Sequence, residues 1–353
     1  MPALTGLRGI AALWVMFFHL PATLTWPIVR NGYLGVDVFF VLSGFIISSA
    51  YSNLLDGFSV REYLRFLQIR LARIYPLHAA SLSLAIVVAA TLPGFGHLWA
   101  DPARRFSAEA AIRCAALIQS WGYRQPLACN APSWSLSAEW AAYLLFPLIL
   151  ACVRRVRSGF IALSLAAALL ATLIALLIYQ GSPTLDVAGL PGMLRVGFEF
   201  PCGCLLYQAF AMGYRPKPMA ASILAIALIG SPELSDHCNW LTLYGFAIIV
   251  LLGATGRGML ARLMASRLIV FLGEISFSLY MFHWIIIKLS VWFCVRYHIG
   301  NASAVLAISA LDAAISLAVA VVSYRYFETP ARKWGRRIAL RPLQPAEPRG
   351  AVG

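Results

Sequence analysis

The stretch that decides the fold is LRGIAALWVMFFHLPATLTWPIV, residues 7–29. It is apolar enough to cross a bilayer, yet it carries Arg8 at one end and His19 well inside. Ionisable side chains are costly within a membrane and are mostly functional there, so His19 is a candidate site residue. In a helix, the steps from Arg8 to His19 rise about 16 Å, which places His19 near the middle of a hydrocarbon core about 30 Å thick. The alternative is a packed histidine that bonds a carbonyl.

The composition excludes a soluble globular domain. Of the 353 residues, 61% are hydrophobic and only 12% are charged, and the mean hydropathy is +0.77. These values predict an all-α, polytopic membrane protein whose spans and short loops use the whole chain. The net charge of +14 does not indicate nucleic-acid binding, because the basic residues gather in alternate loops.

Hydropathy predicts about ten transmembrane helices. Their approximate windows are 7–29, 34–52, 75–95, 135–153, 159–179, 191–211, 218–231, 239–254, 268–293 and 303–324. With the N-terminus inside, 20 Lys and Arg residues fall on the inner side and 7 on the outer side. This asymmetry predicts that both termini face the cytoplasm.

The windows also predict the limits of the membrane domain. It covers residues 1–338, and the Pro-rich residues 339–353 are expected to form a disordered cytoplasmic tail. The apolar stretch 108–121 contains two charged residues, so an interfacial or half-inserted helix is expected there instead of an eleventh span.

Seven cysteines are scattered without the spacing of metal ligands, and no metal site is predicted. Cys114, Cys129 and Cys238 would lie on or near the outer side, where two of them could form one disulfide. A role as small packing residues is the favoured interpretation.

A basic cytoplasmic segment ends in RLARIYP, residues 70–76. Arg70 and Arg73 are three apart on a helix and can converge on one anion, and the planar guanidinium suits phosphate. Ordinary flanking charge of a span is the alternative. Pro76 is expected to open the third span, where its missing N–H costs little.

Two carboxylates are expected at the outer ends of spans. Glu139 follows the alternating serines of PSWSLSAEW, residues 132–140, among which Ser135 is a further candidate. Asp37 lies at a similar depth in the neighbouring span and is expected near His19, where a carboxylate can fix an imidazole tautomer. Either acid could instead be structural.

The ninth span, with Ser276, Tyr280, His283 and Lys288, is the most polar and should face the interior of the bundle. Tyr280 and His283 are further site candidates, although a hydrogen-bonded interior histidine is the favoured interpretation of His283. In the sixth span Arg195 and Glu199 are four apart and are expected to neutralise each other as a structural staple.

This pattern suits a substrate that enters from inside with a phosphate-bearing tail and reacts at His19 with an acceptor from outside. A proton-coupled transporter would need the same features, so the residues alone leave both open.

Six motifs favour the enzyme over the transporter, because they occur in order along nearly the whole chain. The sequence resembles the acyltransferase-3 family of integral membrane acyltransferases. The motifs that carry the resemblance are LTGLRGIAALWVMFFHL at 4–20, GYLGVDVFFVLSGFII at 32–47, RLARIYP at 70–76, PSWSLSAEW at 132–140, FLGEISFSLYMFHW at 271–284 and FETP at 327–330. Thr5 departs from the family, where many members have an acidic residue.

The resemblance implies an activity and a set of roles. The activity is transfer of an acyl group, most often acetyl, from cytoplasmic acyl-CoA to a hydroxyl of a sugar, glycan or lipid-linked sugar acceptor at the extracytoplasmic side. It implies that His19 is the catalytic histidine, that Arg8 is its motif partner, and that Arg70 and Arg73 help to bind the donor. Taken with the positions of the charged residues, this makes Asp37 and Glu139 candidate catalytic acids and Arg8 a further candidate for donor binding.

The resemblance also implies the setting. Acyl-CoA is expected as co-substrate without a permanently bound cofactor, and the chain is expected in the inner (cytoplasmic) membrane. No nucleic-acid partner is expected, and an oligomer is left open. Some members carry a fused hydrolase-like domain, which is not expected here, so acceptor choice is expected in the membrane core and the segment 96–134. A transporter or flippase of glycan-linked or acylated substrates is the alternative, and a structural membrane subunit is a third.

Overall fold

The structure is a computed structural model that describes residues 1–23, 26–98, 101–122, 127–182, 184–231 and 240–339. Throughout these ranges the secondary structure is helical, and they contain no strand. The predicted all-α class is therefore confirmed. The predicted disorder of the tail concerns residues that, from 340 onward, lie outside the described ranges.

Eleven helices are labelled here in chain order. They are α1 (Pro2–His19), α2 (Gly35–Tyr51), α3 (Val60–Thr91), α4 (Ser133–Val153), α5 (Gly159–Tyr179), α6 (Leu190–Ala211), α7 (Pro218–Ile229), α8 (Thr242–Thr255), α9 (Arg267–Arg296), α10 (Ala302–Ser323) and α11 (Thr329–Ala339). Shorter helices cover Pro27–Arg30, Pro102–Arg105, Ala108–Ala115 and Met259–Met264, and a π-helical turn at Tyr324–Glu328 joins α10 to α11.

Each of the ten predicted windows overlaps one of the helices α1 to α10. Within the described ranges, six helical segments are long and apolar enough to cross a membrane, and α7 and α8 are shorter apolar helices. The chain is thus a polytopic membrane protein by length and composition. The count of ten spans and the cytoplasmic position of both termini stay predictions.

Two predicted boundaries were wrong. The first span was expected to run to residue 29, but α1 ends at His19 and a 3₁₀ turn follows at Pro21–Thr23. Proline disfavours a helical conformation in the residue before it, and Leu20 is indeed extended. Pro76 does not open a span, because α3 begins at Val60 and carries Pro76 in its interior.

Close contact between α1 and α9 explains the glycines of the first motif. A Cβ added to Gly273 would lie 1.8 Å from the Thr5 carbonyl oxygen, and one added to Gly9 would lie 2.5 Å from the Gly273 nitrogen. Only glycine lets two backbones approach this closely. The contact brings the polar face of α9 against α1.

A second close contact joins α2 to α6. A Cβ on Gly44 would lie 2.0 Å from the Phe200 carbonyl oxygen, and one on Gly203 would lie 2.0 Å from that of Val41. This contact turns one face of α2 toward α6, and Asp37 lies on that face.

The segment before α4 packs onto the helix bundle through hydrogen bonds. The Asn130 amide donates to the Met281 carbonyl at 3.0 Å, and the Ser120 amide N–H donates to Ser137 at 3.1 Å. Part of the predicted helix at 108–121 is present, as Ala108–Ala115.

Cys114 and Cys129 lie together in this segment as buried free thiols, as expected for packing residues. The neighbouring Cys129 thiol and burial raise the pKa of Cys114, which keeps that thiol protonated. Cys238 lies outside the described residues.

Candidate active site

A cavity of about 410 Å³ opens between α1, α2, α3, α4 and α9. Arg8, Arg70 and Arg73 all line it, although they come from two separate motifs of the sequence. Glu139 is the only carboxylate among the described lining residues, so the wall carries an excess of positive charge. The convergence of Arg70 and Arg73 on one space agrees with their spacing on the predicted helix.

The arginine side chains are half-buried, and two of them are fixed by neighbours. Arg8 Nη2 donates to Ser276 Oγ at 3.1 Å, and Arg70 Nη2 donates to the Tyr51 hydroxyl at 3.1 Å. The Arg70 guanidinium also lies 5.2 Å from the centre of the Tyr51 ring, within cation–π range. Each guanidinium carries five N–H donors, so most of this donor capacity remains for an anion in the cavity.

Glu139 lies in the same cavity as the arginines and not beside His19. Its Oε1 accepts hydrogen bonds from Ser43 and Tyr143, and these two hydroxyls are themselves 3.3 Å apart. The sequence had placed Glu139 at an outer end, apart from the basic cytoplasmic segment. Tyr143 follows Glu139 by one helical turn, a signal that could have identified this partner.

The far end of this cavity is formed by Ser135 and Tyr280. Their hydroxyls are 2.8 Å apart, and the Tyr280 hydroxyl donates to the Pro132 carbonyl at 3.1 Å. The Tyr280 ring centre is 5.9 Å from that of His283. Tyr280 therefore lies between the cavity and His283, and Ser135 is bonded to it.

His19 and His283 form a pair, with ring centres 5.0 Å apart. His19 Nδ1 is 2.8 Å from the Val15 carbonyl oxygen and 3.4 Å from His283 Nε2. A carbonyl can only accept, so His19 carries its proton on Nδ1 and its Nε2 is left as an acceptor. His283 Nδ1 donates to the Leu279 carbonyl at 3.0 Å, which leaves its Nε2 to accept from His19.

In this geometry His283 is buried and hydrogen-bonded through both ring nitrogens. His19, in contrast, is half-buried at the end of α1 and keeps an accessible edge. An imidazole whose Nδ1–H is fixed, and whose Nε2 has no hydrogen-bond partner among the described residues, is arranged as a proton acceptor.

Asp37 does not orient His19, and that expectation was wrong. Arg195 Nε and Nη2 donate to the two Asp37 carboxylate oxygens at 2.9 and 2.7 Å, and both side chains are buried. The close packing of α2 on α6 directs Asp37 toward Arg195. The contacts that orient the His19 ring come from His283 and from the backbone carbonyl of Val15, and not from Asp37 as the sequence predicted.

The expected ion pair between Arg195 and Glu199 is absent from the described contacts, since Arg195 bonds Asp37 instead. The buried Glu199 carboxylate accepts no N–H or O–H hydrogen bond from the described residues. Within the described ranges, moreover, no group of three or more His, Cys, Asp or Glu side chains is placed to hold a metal ion.

One face of α9 connects these parts. Ser276 and Tyr280 line the cavity, His283 contacts His19, and Ser290 lies further along the helix toward its C-terminal end. The steps along this series are of three, four or seven residues, so all of these side chains share one side of the helix. The Ser290 hydroxyl donates to the Asp312 carboxylate of α10. Asp312 was not among the residues predicted from the sequence, although it is the only charged residue of the tenth window.

Comparison with known proteins identifies one protein family along nearly the whole chain. The acyltransferase-3 family, described as an acyltransferase domain, matches residues 1–325. O-acetyltransferase OatA of Staphylococcus aureus strain NCTC 8325 is 26% identical over 371 residues, which cover 95% of this chain and 58% of OatA. Acyltransferase MdmB of Streptomyces mycarofaciens is 29% identical over 328 residues, which cover 82% of this chain and 79% of MdmB.

The chain thus spans less than two thirds of the length of the staphylococcal relative. No solved structure matches it significantly.

Proposed function

Since the chain belongs to the acyltransferase-3 family, we propose that it moves an acyl group, most often acetyl, from cytoplasmic acyl-CoA to a hydroxyl of a sugar or glycan acceptor at the extracytoplasmic side. The observation that carries this proposal is the arginine-lined cavity whose far end lies next to the histidine pair. The proposed setting is the inner membrane of the cell.

Acyl-CoA has a shape that fits this arrangement. Its phosphates are anionic and its thioester lies at the end of a thin pantetheine arm. Arg8, Arg70 and Arg73 would hold the phosphates through charge-assisted hydrogen bonds. The arm would then extend past Ser135 and Tyr280 and bring the thioester carbonyl toward His19.

The proposed reaction uses His19 as general base. His19 Nε2 takes the proton of the acceptor hydroxyl while the hydroxyl oxygen attacks the thioester carbonyl. The C–S bond breaks, the C–O ester bond forms, and the CoA thiolate leaves and takes up the proton as CoA–SH. A general base of this kind contributes about 10²- to 10⁴-fold to the rate.

His283 would support this step without contacting the substrate. When His19 takes up the proton, its Nδ1–H still donates to Val15 and faces His283 Nε2. Both acceptors stabilise the imidazolium and keep its ring in place. His283 is therefore proposed as a positioning residue.

The test uses purified protein in nanodiscs with radiolabelled acetyl-CoA and an envelope glycan extract. Wild type is compared with His19→Gln, which keeps a polar side chain but removes the base. We expect label in the glycan with wild type, a loss of at least about a hundredfold with His19→Gln, and equal acetyl-CoA affinity in both.

Other outcomes would count against parts of the proposal. Full transfer by His19→Gln would remove His19 as the base. A labelled protein that accumulates and passes its label to glycan would replace direct transfer by a covalent acyl-histidine. Absence of acetyl-CoA binding to the wild type would contradict the proposal as a whole.

A further inference from the structure

A second cavity, of about 540 Å³, lies between α9 and α10 on the far side of the histidine pair from the arginines. Its wall includes Pro21, Ser290, Cys294, Ile308, Ser309 and Asp312. A space of this size is in the range of small-molecule binding sites. Neither the motifs nor the comparisons assign it a role.

The position of this cavity relates it to His19. Pro21 follows His19 by two residues, so the two Cα atoms are at most about 7 Å apart. The Ala22 amide N–H donates to Ser309 Oγ at 3.3 Å, which fixes the end of α1 against α10. On α9, Ser290 lies about 10 Å beyond His283 along the helix axis. The two cavities therefore approach the histidine pair from opposite directions.

Asp312 gives the cavity its chemical character. The residue is only 2% exposed, yet its carboxylate lines the cavity. Among the described residues, the hydroxyl of Ser290 is the only hydrogen-bond donor to it, and none forms an ion pair with it. An ionised carboxylate offers about four acceptor sites, and a buried one with a single donor is costly to maintain. A ligand that supplies O–H donors would remove that cost.

The rest of the wall fits a sugar. Val291, Ile299 and Ile308 give apolar surface for the C–H faces of a ring, while Ser290 and Ser309 give hydroxyls near its edges. One turn inward from Asp312, Ser316 has a buried hydroxyl without a hydrogen-bond partner among the described residues. It extends the polar side of α10 inward from Asp312.

We infer that this cavity binds the sugar hydroxyls of the acceptor, with the Asp312 carboxylate as their main hydrogen-bond acceptor. The inference rests on the proposed function, which it deepens. One hydroxyl of the acceptor is held at Asp312 while another hydroxyl of the same acceptor faces His19 Nε2. The acceptor sugar is either part of a free glycan or linked to a lipid, and both present the same hydroxyls.

The first experiment separates acceptor binding from donor binding. In nanodiscs, Asp312→Leu should raise the acceptor KM by about tenfold to a hundredfold, the effect of losing hydrogen bonds to a charged group. The kcat and the acetyl-CoA Kd should change little, and Asp312→Asn, which keeps one acceptor oxygen, should recover part of the loss. An unchanged acceptor KM in Asp312→Leu would overturn the inference.

A pair of tryptophan variants controls for general damage to α10. Ile308→Trp fills the cavity and should raise the acceptor KM, whereas Leu306→Trp on the exposed side of the same helix should not. Equal effects of the two variants would contradict the assignment of this cavity.

A binding readout that needs no turnover uses Cys294, which lines the cavity. In a Cys152→Ser background a water-soluble maleimide should label Cys294, and a sugar in the cavity should slow that labelling at least about fivefold. The probes are chitotetraose for a free glycan and octyl β-glucoside for a lipid-linked sugar. Protection by either supports the inference and identifies the source, and it should disappear in Asp312→Leu.

Three outcomes of the labelling experiment would overturn the inference. The first is that Cys294 does not react with the maleimide in the absence of sugar, and the second is that neither sugar slows its labelling. The third is that octylamine, which has an alkyl chain but no sugar, slows the labelling more than either sugar does. In each case acetyl-CoA binding to the same sample is measured. Intact binding leaves the donor half of the proposed function standing, whereas absent binding counts against that function itself.

Discussion

Replacing Asp37 by asparagine tests whether this carboxylate is structural or catalytic. Asp37 and Arg195 share two hydrogen bonds of 2.9 and 2.7 Å, and their side chains are 0% and 2% exposed. Removal of one partner of a buried pair leaves an uncompensated charge, at a cost of about 3–5 kcal/mol. Glu199 lies one turn further along α6 and can offset part of that charge, so we expect a loss near 3 kcal/mol.

The matched control is Asp56→Asn. Asp56 pairs with Arg154 at 2.6 Å, but both side chains are exposed, at 54% and 40%. An exposed pair of this kind contributes only about 0–1 kcal/mol. The two variants make the same chemical change, so a difference between them reports burial.

The assay is unfolding by SDS in mixed micelles, followed by tryptophan fluorescence, together with turnover per folded molecule. We expect Asp37→Asn to unfold at a lower SDS fraction than Asp56→Asn and wild type, while the folded fraction keeps nearly full turnover. Normal stability with a large loss of turnover would refute the reasoning and return Asp37 to the catalytic site.

Three further predictions concern the donor cavity, the histidine pair and helix packing. The double variant Arg70→Ala/Arg73→Ala should weaken acetyl-CoA binding at least about tenfold and reduce the salt dependence of that binding. Arg65→Ala, at an exposed position of the same helix, should do neither. Equal acetyl-CoA affinity of the double variant and Arg65→Ala in a binding titration would contradict this. His283→Ala should lower kcat about ten- to hundredfold with an unchanged acetyl-CoA Kd, and a change confined to Kd would contradict a positioning role. Gly273→Val should destabilise the fold by about 3 kcal/mol or more in SDS unfolding, because its side chain meets the backbone of α1, and wild-type stability would contradict that contact.

The sequence predicted well what depends on local pattern. Hydropathy located all ten windows on helices, and the spacing of Arg70 and Arg73 placed both on one cavity. Helical periodicity also put Tyr280 and His283 on the interior face of α9. Such features follow from one helix at a time, so a single sequence suffices to find them.

The errors concern partners from different helices. Arg195 has Glu199 one turn away on its own helix, yet it bonds Asp37, 158 positions earlier in the chain. Which faces of α2 and α6 meet is set by the contacts at Gly44 and Gly203, and their pairing is not visible in a single sequence. The Asp37–His19 contact was inferred because the two residues lie at a similar depth in neighbouring spans, and that proximity does not fix how the helices are rotated.

Signals for the early end of α1 and for the role that we infer for Asp312 are present in the sequence. Pro21 indicates that a helix ends before it. The first window was nevertheless extended to residue 29, because it was set by hydropathy alone. Asp312 is the only charge of the tenth window, and an intramembrane carboxylate is by itself a reason to expect a site.

The measurement that tests the account most directly places the two substrates on opposite sides of a membrane. Proteoliposomes receive radiolabelled acetyl-CoA outside only and contain the envelope glycan inside only, with His19→Gln as control. If the two cavities meet at the histidine pair, wild type labels the enclosed glycan and His19→Gln does not. Labelling that occurs only when both substrates are on the same side, or that persists in His19→Gln, would contradict the account.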